Sequence, residues 1–316
     1  MKNKDEPHFY GGQAVMEGVV MKGKTLYSMA VRKPDGDIAV VTRPIKEQKR
    51  PFLKLPVIRG IVAFAAALTM GMKTLTESAE IASEGEPAES LSRFEQFLQN
   101  KFGDKINDIL IQASVVFAIM LAVLLFILLP LWIGSAFSFF TEAHPSLLGV
   151  VEGVARLLIF LGYVFLISRS KDIQRVFQYH GAEHKTINTH EQGAELTVEN
   201  VQKHSRLHNR CGTSFLLIVM FISIIVFAFV RTPDPWIRLA SRVVLIPVVA
   251  GISYEVIRWA GRSKGKLVKI VSSPGLYLQR LTTGEPDGGQ IEIAITALQT
   301  VLDEEAQELN LKDEAV

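Results

Sequence analysis

The stretch ILIQASVVFAIMLAVLLFILLPLWI, residues 109–133, decides the fold class. Nothing charged stands between Asp108 and Glu142, and about 20 apolar residues suffice for a helix to cross the hydrocarbon of a bilayer. The stretch reads as a transmembrane span. C-terminal to it, residues 146–168 read as a second span, interrupted by Glu152 and Arg156. Those two stand four apart with the carboxylate first, so they can pair on one helix face. Residues 213–230 read as a third span and 236–259 as a fourth. The fourth carries Arg238 and Arg242 near one end, Pro247 and Gly251 inside, and Glu255 and Arg258 near the other. N-terminal to the first span, residues 57–72 are apolar but short, with Arg59 near their start and Lys73 just after. That length predicts an interfacial or re-entrant helix.

Charge sets the expected orientation. Six Lys/Arg against Glu47 lie between Arg43 and Arg59, seven lie within residues 169–212, and four lie between Arg262 and Lys269. The other two connections hold little that is positive beyond Arg231 and the flanking Arg238 and Arg242. The positive-inside rule then places both termini and the loop 169–212 in the cytoplasm of a multi-pass protein of the inner (plasma) membrane. A net charge of +2 is too small to argue for nucleic acid. A single cysteine, Cys211, rules out an internal disulfide and fits a reducing compartment. The N-terminus, residues 1–8, is charged and has no apolar core, so no cleavable signal peptide is expected.

The polar segments predict a small α+β portion. Residues 1–56 hold a glycine-rich loop (Gly11, Gly12, Gly18, Gly23) and a β-hairpin of residues 26–33 and 38–43. The connection Pro34-Asp35-Gly36-Asp37 fixes one φ and frees the next for a tight turn. Residues 57–108 comprise the short apolar helix and a polar, partly helical linker with a break at Gly85-Glu86-Pro87. Spans one and two occupy 109–168, the histidine-rich loop 169–212, spans three and four 213–260, and the tail 261–316. In the tail, residues 266–271 and 276–281 read as strands. An amphipathic helix follows, with Ile291, Ile295, Leu298 and Leu302 on one stripe.

The sharpest chemical signal is Tyr179-His180-Gly181-Ala182-Glu183-His184-Lys185, which contains His-x-x-Glu-His, the inverted zincin pattern. On a helix, residues three and four apart share a face. His180 and His184 can therefore aim imidazole nitrogens at one Zn²⁺ or other divalent ion, with Glu183 beside them as general base. A third ligand must come from elsewhere. His208 and Cys211 offer imidazole and thiolate just before the third span, and Glu255 offers a carboxylate in an apolar helix, where such a group needs a partner. The bland alternatives are histidines that cap helices, a buried apolar cysteine, and Glu255 paired with Arg258, Arg262 or Arg156. The stretch 11–21 is no phosphate loop, for it lacks the Gly-Lys-Ser/Thr ending. It reads first as a tight glycine-dependent loop, and second as a lid bringing Gln13 or Glu17 to the metal.

Five stretches together resemble the YqhQ-like bacterial membrane proteins of unknown function: residues 11–19, 179–185, 196–201, 210–215 and 279–283. The resemblance runs in order along nearly the whole chain. It implies a multi-span membrane protein with a metal site at His180, Glu183 and His184, described for that family as predicted metal-dependent enzymes, and it supplies no substrate. Together these readings predict an α-helical polytopic membrane protein of about four spans. They point to a zinc-dependent hydrolase at the cytoplasmic face, acting on a peptide or lipid-linked substrate. The alternatives are a membrane scaffold or assembly factor with a structural metal site, and a transporter using Glu255, Arg156 and the Pro247/Gly251 break. Partners beyond the bilayer and the oligomeric state are left open by the sequence.

Overall fold

The computed structural model describes residues 10–45, 50–85, 106–137, 145–230, 232, 234–263 and 265–314. The N-terminal residues 1–9, the basic positions Lys46 and Lys49, the polar stretch 86–105, the connection 138–144, Arg231 and Lys264 lie outside the described residues. So do the expectations placed on them. By its contacts the chain divides into two units. One comprises Met1–Glu84, Val164–Val219 and Pro247–Val316; the other comprises Gly85–Tyr163 and Met220–Ile246.

In the first unit, strands β1 (Gly11–Val15), β2 (Gly18–Lys22), β3 (Leu26–Arg32) and β4 (Ile38–Pro44) form an antiparallel meander in chain order. The β3–β4 hairpin is the one that Pro34-Asp35-Gly36 predicts, with Arg32 opposite Ile38 and Gly36 at φ +94°. The glycine-rich stretch is a hairpin too, where the sequence predicts a loop. Ala14 pairs with Val19, and Glu17 takes φ +50° in the turn. Its glycines serve packing: a Cβ on Gly18 would stand 2.3 Å from the Ala30 carbonyl oxygen.

Strands β2 and β3 are buried on both faces, which is why they read as continuous apolar runs. On one face Val19, Met21, Leu26 and Ala30 join a core with helices α5 (Lys171–Glu191), α6 (Val198–Lys203) and α10 (Gly288–Glu314). Tyr179, Ala182 and Ile187 enter it from α5, and Ile291, Leu298 and Val301 from α10, all at most 1% exposed. On the other face Val15, Val20, Met29 and Val31 meet Met70, Ile81 and Ala82 of α1 (Ile58–Ala82).

Helix α1 is longer than the apolar run that predicts it. Its polar end is held to the sheet: Gln13 Nε2 donates to Thr74 Oγ1 at 2.6 Å, and the Met16 N–H donates to Ser78 Oγ at 3.1 Å. At its start, Arg59 clasps Glu255 with two N–H groups, and Gly60 lies against Gly251. The tail also departs from expectation. Residues 266–282 are one helix, α9 (Lys266–Thr282), with Pro274 inside it, in place of two strands. Its β-branched residues and its proline mimic strand signals. Its burial has helical spacing, with Leu278, Gln279 and Thr282 inside and Ile270 and Tyr277 exposed.

In the second unit, α2 (Ile106–Val123) runs through a π-helical turn at Leu124–Leu128 into α3 (Leu129–Ala136). Pro130 has no N–H and leaves the Phe126 carbonyl free of its helical partner. Arg156 Nε fills that role from α4 (Pro145–Ile167), donating at 2.8 Å. The expected Glu152–Arg156 pair gives way to this arrangement. Glu152 accepts from Arg238 and Arg242 of α8 (Pro235–Arg262), because the facing helix offers it two guanidiniums at once.

Among the described residues, four helices are long and apolar enough to cross a membrane: Ile58–Ala82, Gln112–Ala136, Leu147–Ile167 and Trp236–Ala260. The expected third span, α7 (Gly212–Ala228), is a helix of 17 residues, at the lower limit for crossing.

A candidate metal centre on helix α5

The histidine-rich segment is a helix for most of its length, and its 3.6-residue period puts His180, Glu183, His184 and Ile187 on one inward face. Gly181 does not break it. A Cβ there would stand 2.0 Å from the Gly284 carbonyl oxygen, so the glycine lets the chain after α9 cross close to α5. That crossing carries the Thr282 carbonyl to His180 Nδ1, 2.8 Å away. His184 Nδ1 lies 2.6 Å from the Arg206 carbonyl.

A carbonyl oxygen can only accept, so both Nδ1 atoms carry a proton, and Nε2 is the position from which each ring can ligate. This is the tautomer that a histidine ligand needs, fixed by the carbonyl partner typical of metal-binding imidazoles. The ring centroids lie 4.4 Å apart. Cys211 completes the group: its Sγ is 3.2 Å from His180 Nε2. One ligand atom from each of His180, His184 and Cys211 lies within 4.8 Å of the other two.

Glu183 stands beside this trio. It is 4% exposed, the Gly12 N–H donates to its carboxylate, and its Oε2 is buried with no hydrogen-bond partner among the described residues. Burial pushes its pKa up to about 8, partly offset by the neighbouring His180. Burial also pulls His184 well below the usual imidazole range, with His180 adding to the effect, and raises the Cys211 thiol. A largely buried donor set of two imidazoles and a thiol, with an orphaned carboxylate oxygen beside it, fits a Zn²⁺-like cation.

The remaining sequence candidates are placed elsewhere. The His208 ring lies 5.6 Å from that of His184, but its Nε2 faces Glu191 at 3.4 Å. Burial lowers the His208 pKa to about 4. Glu255 is not brought to the cluster: its carboxylate is taken by Arg59 and the Val57 N–H, in place of the expected pairing with Arg258 or Arg156. Gln13 is tied to Thr74, and Glu17 to Arg175 and Tyr179, so neither acts as a lid on the metal site. The glycine-rich motif reaches the site by its backbone, through Gly12.

Sequence reasoning missed the residues that position the site. Gln279 is fully buried and clamps the loop leading to Cys211: it accepts from the His208 N–H at 2.9 Å and donates to the His208 carbonyl and Ser214 Oγ. The stretch Gln279–Thr283 carried the signal, as a motif with no assigned role. Beside the same loop opens a cleft of about 910 Å³, lined among others by Asn209, Arg210, Lys266, Lys269 and Leu276.

No solved structure matches the chain. The uncharacterized protein YqhQ of Bacillus subtilis (strain 168) is 38% identical over 310 residues, covering 97% of this chain and 96% of its own. The family model described as "Protein of unknown function (DUF1385)" matches residues 55–304, and the chain belongs to that family.

Proposed function

We propose that the protein is a metal-dependent hydrolase of the cytoplasmic membrane face, with the ion held by His180, His184 and Cys211. The observation that carries this reading is the pair of carbonyl-fixed Nδ1–H groups in a trio, His180, His184 and Cys211, whose ligand atoms, one from each residue, lie within 4.8 Å of one another. A divalent cation bound there supplies a Lewis acid that polarises a carbonyl or phosphoryl oxygen. Glu183, buried beside that position, would be favoured in its ionised form with a cation held there. Glu183 then takes a proton from the attacking water and passes it to the leaving group. The basic cleft lined by Arg210, Lys266 and Lys269 favours a lipid-linked substrate with an anionic headgroup over a neutral peptide.

Chain connectivity supports the orientation. The sheet precedes every apolar helix, α5 lies in their middle and α10 follows them all, yet the three share one core. They must lie on one side of any bilayer, so the number of crossings between each pair is even. With α2–α3 and α4 crossing, α1 does not, and its exposed Leu68, Met72 and Leu75 lie against the lipid surface. With α8 crossing, the shorter α7 crosses too. The positive-inside bias puts the shared core, and both ends of the chain, in the cytoplasm.

A structural metal site in a membrane scaffold is the second reading. It is favoured by the burial of the cluster, since His184 is 1% and Cys211 7% exposed, and closed sites are commonly structural. Metal analysis of the purified protein and complementation of a strain lacking the gene test both. Wild type is expected to hold one divalent ion, His180→Ala to lose it, and Glu183→Gln to keep it while failing to complement. Full complementation by Glu183→Gln favours the scaffold, and wild type without metal ends both readings.

A further inference from the structure

The helical unit holds a second concentration of charge that the metal centre does not use. Arg156 and Glu152 on α4 and Arg238 and Arg242 on α8 are buried together, at 6%, 0%, 4% and 2% exposure. Glu152 is saturated: Oε1 accepts from Arg238 Nη1 at 3.0 Å, and Oε2 from two N–H groups of Arg242. Arg238 Nη2 donates to Ser135 Oγ at 3.0 Å, and Arg156 Nε to the Phe126 carbonyl. The guanidiniums of Arg242 and Arg156 both stack on the Phe227 ring, at 4.3 and 5.1 Å from its centroid. Asp234, the acid just before α8, is occupied in capping that helix by accepting from the Trp236 and Ile237 N–H groups.

Three cations and one anion leave two positive charges in an apolar bundle, counted over the described residues. Arg156 Nη1, Arg238 Nε and Arg242 Nη1 are buried and have no hydrogen-bond partner there. An interhelical ion pair would be complete with one arginine and Glu152. The third guanidinium adds desolvation and like-charge repulsion with no gain in pairing, unless a counter-charge comes from outside.

The geometry points to a site in this unit for a phosphate-type oxyanion, bound by Arg156, Arg238 and Arg242. Each of the three guanidiniums has one orphaned nitrogen, a tetrahedral oxyanion has several oxygens that can accept from them, and its charge balances theirs. Glu152 holds two of the forks in place, and the π-turn carbonyl of Phe126 holds the third. The ligand is either free phosphate or the phosphodiester of an anionic lipid headgroup.

The test is thermal unfolding of the full chain in neutral detergent, titrated with inorganic phosphate, with phosphatidylglycerol micelles, and with chloride at matched ionic strength. A saturable rise in Tm with phosphate or with phosphatidylglycerol is expected, the responding arm naming the source. Arg156→Gln is expected to weaken that dependence by at least about tenfold. Arg156 makes no bond to Glu152, and glutamine can still donate to the Phe126 carbonyl. Glu152→Gln removes the competing negative charge and is expected to tighten it. Should Arg156→Gln not fold, Arg156→Lys keeps the charge and loses the fork, and is expected to weaken phosphate in the same direction. Absence of a saturable shift, an equal response to chloride, or wild-type behaviour in the foldable Arg156 variants overturns the proposal.

Discussion

Gly12 and Glu183 are in direct contact across 170 residues of chain: a Cβ on Gly12 would stand 3.0 Å from the glutamate Cγ and 2.4 Å from the Val20 carbonyl oxygen. The Gly12 N–H also donates to the Glu183 carboxylate. The first strand of the sheet thus forms one wall of the candidate metal centre, and only a residue without a side chain fits there. Gly12→Ala is expected to destabilise the fold by about 1–3 kcal/mol, as overpacking in a close-packed interior does. It should also push Glu183 off its position. Chemical denaturation and metal titration of the variant check both. Wild-type stability and metal affinity together would mean that the wall is not in contact.

The second close approach, Gly181 under the Gly284 carbonyl, tests whether the site depends on its supporting carbonyls. Any side chain at 181 must displace residues 282–284, and with them the Thr282 oxygen that fixes the His180 tautomer. Gly181→Ala touches no ligand atom. It is nevertheless expected to weaken metal binding by about 10–100-fold, the range seen when outer partners of metal histidines are lost. Isothermal titration with Zn²⁺ measures it directly, and unchanged affinity in a folded variant would separate the carbonyl from the site.

Metal binding should expel protons. Glu183, held up at about 8, and Cys211, raised by burial, are both protonated at pH 7 without metal. A bound dication displaces protons from the thiol and draws the carboxylate to its ionised form. The metal-bound state carries fewer protons, so affinity rises with pH. The rise is about tenfold per pH unit for each proton displaced, and the Glu183 share fades above about pH 8. Calorimetry in two buffers of different ionisation enthalpy counts the protons. Glu183→Gln should release fewer at pH 7 than wild type, and equal counts would mean that the carboxylate does not sense the ion.

Much of this was legible in the sequence where periodicity and chemistry agree. The uncharged run around Leu121, the Asp35-Gly36 hairpin and the one-face placement of His180, Glu183 and His184 follow from local rules. What was not legible depends on long-range contact. The β1–β2 hairpin looks like a loop because Gly12 and Gly18 are set by neighbours far along the chain, Glu183 and Ala30. Helix α9 looks like two strands because Val268, Ile270 and Val271 carry strand propensity, and tertiary packing of Leu278 and Gln279 overrides it. Glu255 looks like a free ligand because its partner, Arg59, lies 196 residues away. That Cys211 and not His208 joins His180 and His184 in one group could not be read from spacing. It rests on which donor faces His180 Nε2, and Glu191 decides it by engaging His208.

Topology offers the last test, and it sets connectivity against helix length. By length α1, with 25 residues, outranks α7, with 17, as a membrane-crossing helix. If α2–α3 and α4 both cross, the shared core of the sheet, α5 and α10 calls for the reverse, because a crossing by α1 would then strand the sheet on the opposite side from α5. Cys211 is the sole cysteine, so in a Cys211→Ala background single cysteines report accessibility without interference. Substitutions Asp35→Cys, Glu84→Cys, Lys171→Cys and Asn310→Cys are expected to resist a membrane-impermeant maleimide on intact cells and to react after permeabilisation. Asp234→Cys, between α7 and α8, is expected to react from outside. The decisive position is Glu84, just past the end of α1. Labelling there from outside would make α1 a crossing helix, and the common core of sheet, α5 and α10 would then require that either α2–α3 or α4 not cross.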